Sequence, residues 1–263
     1  MDFRRRSNQL LALILVVTAG IAGFLWLNDE PAEIWISPVY VFLIWALLRE
    51  IDPDHDWTAL AGAVATAVWV LSGGPVTSGL AIAGLMVAAR ITTSTTGRRP
   101  LPTDLAAAAV FAIAIGFSVA GWAAGFGIAL AIYLDDRYRG DSRLAAIAAS
   151  ALAAIGTTAL AHTTGSFPER FPDIIQAVVI ASGVAGVLLS ARDPADPISQ
   201  VDARHAAFLD GSRLHASRSV VGVLVFLMAI LSGEEADGLI VVIAALGLAV
   251  VSNEIELLRR RRL

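Results

Sequence analysis

The chain has 263 residues, of which 57% are hydrophobic and only 16% are charged, and its formal net charge is −4. Soluble domains carry about 25% charged residues, so this composition excludes an ordinary soluble domain and indicates a multi-pass membrane protein. Cysteine and lysine do not occur in the sequence, which excludes disulfides, thiolate metal sites and lysine-bound retinal or pyridoxal phosphate. The acidic balance predicts no nucleic-acid partner.

Ten apolar segments predict an all-α, polytopic bundle of transmembrane helices. In chain order they are residues 10–27, 34–48, 57–72, 75–89, 105–120, 122–134, 144–161, 174–191, 219–231 and 239–251. The first segment follows three arginines at positions 4–6, as in a signal peptide, but it is long and no small-residue cleavage site follows it. We therefore expect a retained helix and treat residues 1–263 as one integral membrane domain.

The run 105–134 is apolar throughout and forms either one long helix or a helical hairpin. One straight helix would be about 45 Å long, against a hydrocarbon core of about 30 Å. Gly121 and Gly125 offer a place to turn, and a hairpin puts every arginine except Arg170 on the cytoplasmic side. We therefore predict ten spans with both termini in the cytoplasm, in the plasma membrane of a prokaryote.

Two patterns bear on how the helices are arranged. The tripeptide Leu-Ser-Gly occurs at 71–73 and again at 231–233, which indicates a weak repeat of 34–89 with 174–251, a feature of many transporters. Small residues four apart, at 121 and 125 and at 182 and 186, predict close helix packing or association of two copies of the chain.

Ionisable side chains avoid the centres of the predicted spans, which argues against ion-coupled transport. They gather in three cytoplasmic loops. The candidate metal- or phosphate-binding residues are Glu50, Asp52, Asp54 and Asp56 in the first loop, Asp135, Asp136 and Asp141 in the second, and, as secondary candidates, Asp202, His205, Asp210 and His215 in the loop 192–218. Carboxylates bind Mg²⁺ or Mn²⁺, and two acidic loops that face each other could hold metal ions on a diphosphate.

The same acids also have a purely structural interpretation. Aspartate is a favoured helix N-cap and stabilises the first turn, and Asp56, Asp104 and Asp173 each come just before a predicted span. The stretch 198–209 is consistent with an interfacial amphipathic helix, whereas a metal site there would require Asp202 and His205 to share a helix face.

The first two acidic loops, together with the sequence Arg99-Pro100-Leu101-Pro102, resemble the UbiA-type prenyltransferases, which have Asp-rich motifs in the loops after spans 2 and 6. The resemblance implies a prenyl diphosphate substrate. The chain departs from the family pattern because its acids alternate from Glu50 to Asp56, no aspartate lies just before Arg99, and arginines replace acids in the second loop. The resemblance covers only these short loops.

Three functions are compatible with the sequence. The favoured ones are a small-solute transporter or facilitator and a non-catalytic membrane scaffold. The alternative is a metal-dependent enzyme that acts on a lipid or isoprenoid diphosphate at the cytoplasmic face and uses Mg²⁺ or Mn²⁺. The expected partners are the lipid bilayer and a second copy of the chain, held through small-residue helix faces.

Overall fold

The computed structural model of the chain describes residues 6–28, 32–53, 56–75, 78–94, 100–140, 143–165, 200–202, 207–208 and 210–231. This part of the chain is built from α-helices. They are α1 (Arg6–Trp26), α2 (Ser37–Ile51, preceded by a 3₁₀ turn at Ala32–Ile36), α3 (Asp56–Leu71), α4 (Gly79–Thr93), α5 (Pro102–Ala114), α6 (Val119–Tyr138), α7 (Leu144–Thr163) and α8 (Gly211–Leu231).

Four helical segments in the described residues are long and apolar enough to cross a membrane. They are Arg6–Trp26, Ile34–Ile51, Val119–Tyr138 and Leu144–Thr163. Helices α3, α4 and α5 are apolar but shorter. Eight of the predicted segments thus coincide with helices, and the predicted segments 174–191 and 239–251 lie outside the described residues.

The run 105–134 forms two helices, as the arginine distribution predicts, but the turn is not where the glycines suggest. Helix α5 ends at Ala114 and α6 begins at Val119. Ser118 is the N-cap of α6, and its hydroxyl accepts a hydrogen bond from the backbone N–H of Gly121. The expected turn at Gly121 and Gly125 is therefore wrong. Both glycines lie inside α6, where the missing side chain lets α6 approach the end of α5.

The loop before α8 also differs from the expectation. Residues Gln200–Asp202 pair in antiparallel fashion with Ala207–Phe208, so the interfacial helix considered for 198–209 is not formed there. Asp202 consequently lies on a short strand and not on a helix face. Helix α8 starts at Gly211, about two turns before the apolar segment that begins at 219.

Helix α6 lies at the centre of the described bundle and packs against α4, α5, α7 and α8. Its buried residues are mostly alanine and glycine, which permit close helix contact where lipid provides no hydrophobic drive between helices. A Cβ on Gly125 would lie 2.5 Å from the carbonyl oxygen of Ala112 in α5, and a Cβ on Gly84 of α4 would lie 2.8 Å from Cβ of Ala124. The predicted small-residue motif at 121 and 125 thus serves contacts within the chain, and the one at 182 and 186 lies outside the described residues.

The described helices divide into two packing groups. Helices α1, α2 and α3 contact one another and enclose a small apolar cluster that includes Leu11, Val41 and Ala63. Helices α4 to α8 form the second group, and the larger apolar cluster around α6 also includes residues of α2 and α3 such as Ile44, Leu48 and Val70. The groups meet mainly where α2 faces α4, with a smaller contact between α2 and α8, and we call this boundary the seam.

Candidate functional site at the charged end of the bundle

The acidic loops predicted from the sequence lie at one end of the described bundle, which we call the charged end. The C-terminal ends of α2, α4 and α6 meet the N-terminal ends of α3, α5, α7 and α8 there. Consecutive helices from α2 to α7 thus run in opposite directions through the bundle, as the arginine distribution predicts. Carboxylates of the first and second loops are brought to the same end, and arginines lie among them.

Asp135, near the end of α6, is the most tightly bound of these carboxylates. The residue is 2% exposed, and its carboxylate accepts hydrogen bonds at 3.0 Å from Nε of Arg139, one turn later in the same helix. It also accepts one at 2.7 Å from Nη1 of Arg213 in α8. The guanidinium of Arg213 lies 5.4 Å from the ring centre of Tyr138, in cation–π geometry. Arg139 also donates a hydrogen bond to the hydroxyl of Ser94, which directly follows α4. These contacts therefore join α4, α6 and α8.

Asp136, the next residue, faces the α6–α7 connection. Its carboxylate accepts a hydrogen bond from the backbone N–H of Arg143 and lies 3.3 Å from Nε of the same residue. Arg143 also donates to the carbonyl of Pro100, just before α5. Asp136 therefore holds the start of α7 against the end of α6.

The carboxylates at the end of α2 face arginines of neighbouring helices. Asp52 is 1% exposed and its oxygen lies 3.7 Å from Nη2 of Arg218 in α8. Glu50 lies 3.9 Å from Nε of Arg90 at the end of α4. Arg218 also donates at 2.8 Å from Nε to the backbone carbonyl of Ile51, a carbonyl freed by the helix end. Both ion pairs cross the seam.

Two other candidate acids act at helix starts, in line with the structural interpretation. Asp56 is the first residue of α3 and pairs with Arg49 of α2. Asp210 precedes α8, and its carboxylate accepts hydrogen bonds from the hydroxyl and the backbone N–H of Ser212. These bonds, with the charge of Arg213, hold the pKa of Asp210 below its usual value. His215 lies on the first turns of α8, partly buried.

The remaining candidates are outside what the structure describes. Asp54, Asp141 and His205 lie outside the described residues, and for Asp202 only the backbone is described. Within the described ranges, no group of three or more histidine, aspartate or glutamate side chains is placed to hold a metal ion. The candidates Glu50, Asp52, Asp56, Asp135 and Asp136 instead each have an arginine beside them.

Sequence reasoning found the acids but missed their partners. Arg213 and Arg218 are each 8% exposed, and Ser217 between them donates to the carbonyl of Ala89 in α4. A signal was present: Arg213, Ser217 and Arg218 lie on the helix face that also carries Leu214 and Val221, both buried in the bundle. Arginines on an apolar helix face call for carboxylate partners on a neighbouring helix.

Chemically, this end of the bundle is a set of neutralised charges between helices. An arginine beside each carboxylate competes with any metal ion for the same oxygens, so the described geometry favours ion pairing over metal binding. The chain matches no known protein-family profile, no curated protein and no solved structure.

Proposed function

We propose that the chain is a multi-pass protein of the prokaryotic plasma membrane, with about ten spans and both termini in the cytoplasm, and that it lets a small uncharged or lipophilic solute cross. The observation that carries the proposal is the arginine–carboxylate network at the charged end. It joins the ends of α2, α4, α6 and α8 through side chains, and it neutralises the carboxylates that a metal-dependent enzyme would need.

Buried ion pairs add little stability compared with apolar packing, so their presence between helices calls for another role. In a membrane protein, contacts of this kind between helix ends can close a path and release it when helices move. The proposed solute is uncharged because the interior of the described helices is apolar. Around α6 it is built from residues such as Ala124, Ile128 and Leu224. A charged solute would have to leave water without a compensating partner there.

The first test measures solute flux through the purified protein. Purified protein in vesicles of phosphatidylethanolamine and phosphatidylglycerol is given an osmotic gradient of glycerol or urea, and swelling is followed by light scattering. Protein-containing vesicles should swell faster than protein-free ones. Flux equal to that of empty vesicles for a panel of small neutral solutes would contradict the proposal.

The metal-enzyme alternative is tested by thermal stability in detergent. The unfolding temperature is measured with and without Mg²⁺ or Mn²⁺, each with and without inorganic pyrophosphate, for the wild type, Asp52→Asn and Asp136→Asn. A ligand present at 100 times its Kd stabilises by about 2.7 kcal/mol, which is readily detected. We expect no metal-dependent shift. A shift that both variants abolish would establish a shared metal site and favour the enzyme.

A scaffold is the second candidate, and the close packing around α6 favours it. Gly84, Gly125, Gly127 and Gly156 each contact a neighbouring helix so closely that an added Cβ would collide with it. An interior packed in this way suits a rigid membrane support. The flux measurement separates the two functions, because a scaffold leaves vesicle permeability unchanged.

A further inference from the structure

Helix α6, at the centre of the described bundle, has one side that no described helix covers. Helices α8, α4, α5 and α7 follow one another around α6, but α7 and α8 do not form a packed pair within the described residues. On one flank, Gly127 of α6 faces Leu224 of α8. On the other flank, Trp122 of α6 donates a hydrogen bond to the hydroxyl of Thr158 in α7. The side of α6 between these two contacts is open, and we call it the open face.

The open face carries large side chains, unlike the other sides of α6. Four residues at intervals of three or four positions form one stripe along the helix, namely Phe126, Leu130, Tyr133 and Arg137. Phe126 is 41% exposed and Tyr133 is 51% exposed, whereas the residues that α6 buries are mostly alanine and glycine. The open face is therefore aromatic along its middle, and it ends in an exposed arginine at the charged end.

The directions of α7 and α8 require the chain to cross back between them. Helix α7 begins at the charged end, where Arg143 pairs with Asp136, and it ends at Thr163, about 30 Å away at the far end of the bundle. Helix α8 begins at the charged end again, where Arg213 pairs with Asp135. The chain between α7 and α8 therefore returns from the far end to the charged end, in the same direction as α6.

The predicted span 174–191 has the position and composition for this return, and it lies outside the described residues. As a helix it would be about 27 Å long, close to the length of α7. It follows α7 after the short stretch 164–173, and a short connection favours an antiparallel neighbour. Its middle is rich in small residues, at 181–183 and 185–186, which suits packing against the large side chains of the open face.

The charges at the charged end of the open face are complementary to the sequence that follows this span. None of the ion pairs between described residues includes Arg137. After residue 191 the sequence carries Asp193 and Asp196 against one arginine, Arg192. A return to the charged end would bring these acids near Arg137. An exposed pair of this kind adds little stability, but it favours this arrangement over one that brings two arginines together.

We propose that the segment 174–191 packs as a membrane-spanning helix on the open face of α6, between α7 and α8 and parallel to α6. The proposal rests on the ten-span topology of the proposed function and is independent of the solute. With the far ends of the two helices aligned, Val119 lies level with residue 174. Because both helices rise by about 1.5 Å per residue, Phe126 then lies level with residue 181 and Tyr133 with residue 188.

The sequence contains no cysteine, so introduced cysteines are the only thiols and cross-linking tests the proposal directly. Tyr133→Cys is combined with one cysteine at each position of 185–191 in turn, and a protease site is inserted after Gly140, between α6 and α7. After cleavage, a short bifunctional thiol reagent keeps the two fragments together only where the cysteines lie close. In the matched control, Tyr133→Cys is replaced by Val110→Cys, an exposed position of α5, which packs on the other side of α6.

We expect Tyr133→Cys to cross-link at positions three or four apart, with a yield about tenfold above the control, because thiols on facing helices have a high effective concentration. Phe126→Cys should give the same pattern at 178–184. Control-level yields throughout both scans would overturn the proposal, provided that Trp122→Cys and Thr158→Cys, whose native side chains are hydrogen-bonded, cross-link. A product of twice the chain mass would also overturn it and assign the open face to a second copy of the chain.

A membrane-impermeant thiol reagent distinguishes a failure of this proposal from a failure of the topology. Ser166→Cys and Ala195→Cys lie on either side of the segment 174–191 and are labelled separately in intact cells and in opened ones. We expect Ser166→Cys to react in intact cells and Ala195→Cys only in opened cells. That result without cross-linking to α6 would overturn the proposal alone. Labelling of both positions from the same side would overturn the proposal and the ten-span topology together.

Discussion

At the scale of single residues, two buried polar atoms lie among apolar groups. The hydroxyl of Thr157 in α7 and the indole N–H of Trp45 in α2 have no hydrogen-bond partner among the described residues. Thr157 is fully buried against the gap left by Gly116 and Gly125, where a Cβ on either glycine would lie 2.5 or 2.6 Å from the hydroxyl. Its side chain therefore contributes by filling this space and not by hydrogen bonding. An unpaired buried hydroxyl costs free energy that an equally large methyl group would not.

The change Thr157→Val should leave the free energy of unfolding unchanged or raise it by about 1 kcal/mol, since the methyl fills the same space without an unmet hydrogen bond. The matched control is Thr66→Val in α3, which is also buried but donates at 2.8 Å to the carbonyl of Gly62. That variant should lose about 1 kcal/mol. Denaturation in detergent compares the two, and an equal loss in both would contradict the prediction.

At the scale of helices, α6 depends on glycine for close approach to its neighbours, whereas Gly20 of α1 serves no such contact. Gly125 faces the backbone of α5 and the side chain of Thr157, whereas Gly20 of α1 has open space around it. α1 exposes large apolar residues such as Leu13, Val16 and Phe24, as expected of a helix that faces lipid. A substitution at Gly20 therefore reports helix propensity alone, whereas one at Gly125 also reports helix packing.

The change Gly125→Ala should lower the free energy of unfolding by about 1–3 kcal/mol, because the new Cβ would lie 2.5 Å from the carbonyl oxygen of Ala112 and backbone must shift. Gly20→Ala adds the same methyl in open space and should be neutral or stabilising by up to about 1 kcal/mol. Thermal unfolding of both variants tests this. Similar effects at the two positions would mean that α6 is not packed as described.

The helices themselves could be predicted from the sequence, because an apolar run long enough to cross lipid must form its backbone hydrogen bonds internally. The positions of helix ends could not. Hydropathy counts arginine as strongly polar, so it places the start of the apolar segment at 219, although Arg213 and Arg218 are buried against carboxylates of other helices. Glycine likewise suggests a turn at 121–125, but here it serves close contact between helices.

The candidate site is likewise only partly predictable from the sequence. The acids were predicted because they are dense in short loops, but their arginine partners are far away in the sequence. Arg213 is separated from Asp135 by 78 residues. Only the fold brings such residues together, and a single sequence carries no record of that proximity.

At the scale of the whole molecule, the charged end holds the α4–α8 group together through a buried network centred on Asp135. Removing one partner of a buried ion pair leaves the other charge without compensation, which costs more than the pair itself contributes. Arg213 is therefore a sensitive position, although it lies far along the chain from the acids that the sequence emphasises.

The change Arg213→Gln should destabilise the protein by about 3 kcal/mol, whereas Arg137→Gln, an exposed arginine at the same end of α6, should stay within about 0.5 kcal/mol of wild type. The double variant Asp135→Asn/Arg213→Gln should lose less than the sum of the single changes, with a coupling of about 1–3 kcal/mol. Chemical denaturation in detergent measures this cycle. Strict additivity would mean that the two side chains do not interact.

The burial of Arg213 and Arg218 also has a consequence for biosynthesis. The chain is made from its N-terminus, so α2 and α6, which carry Asp52 and Asp135, are synthesised before α8. An arginine-bearing segment enters lipid at a cost of a few kcal/mol unless it meets a partner. The earlier helices provide that partner, and we expect α8 to enter the membrane against an assembled bundle of the preceding helices, after they have left the ribosome.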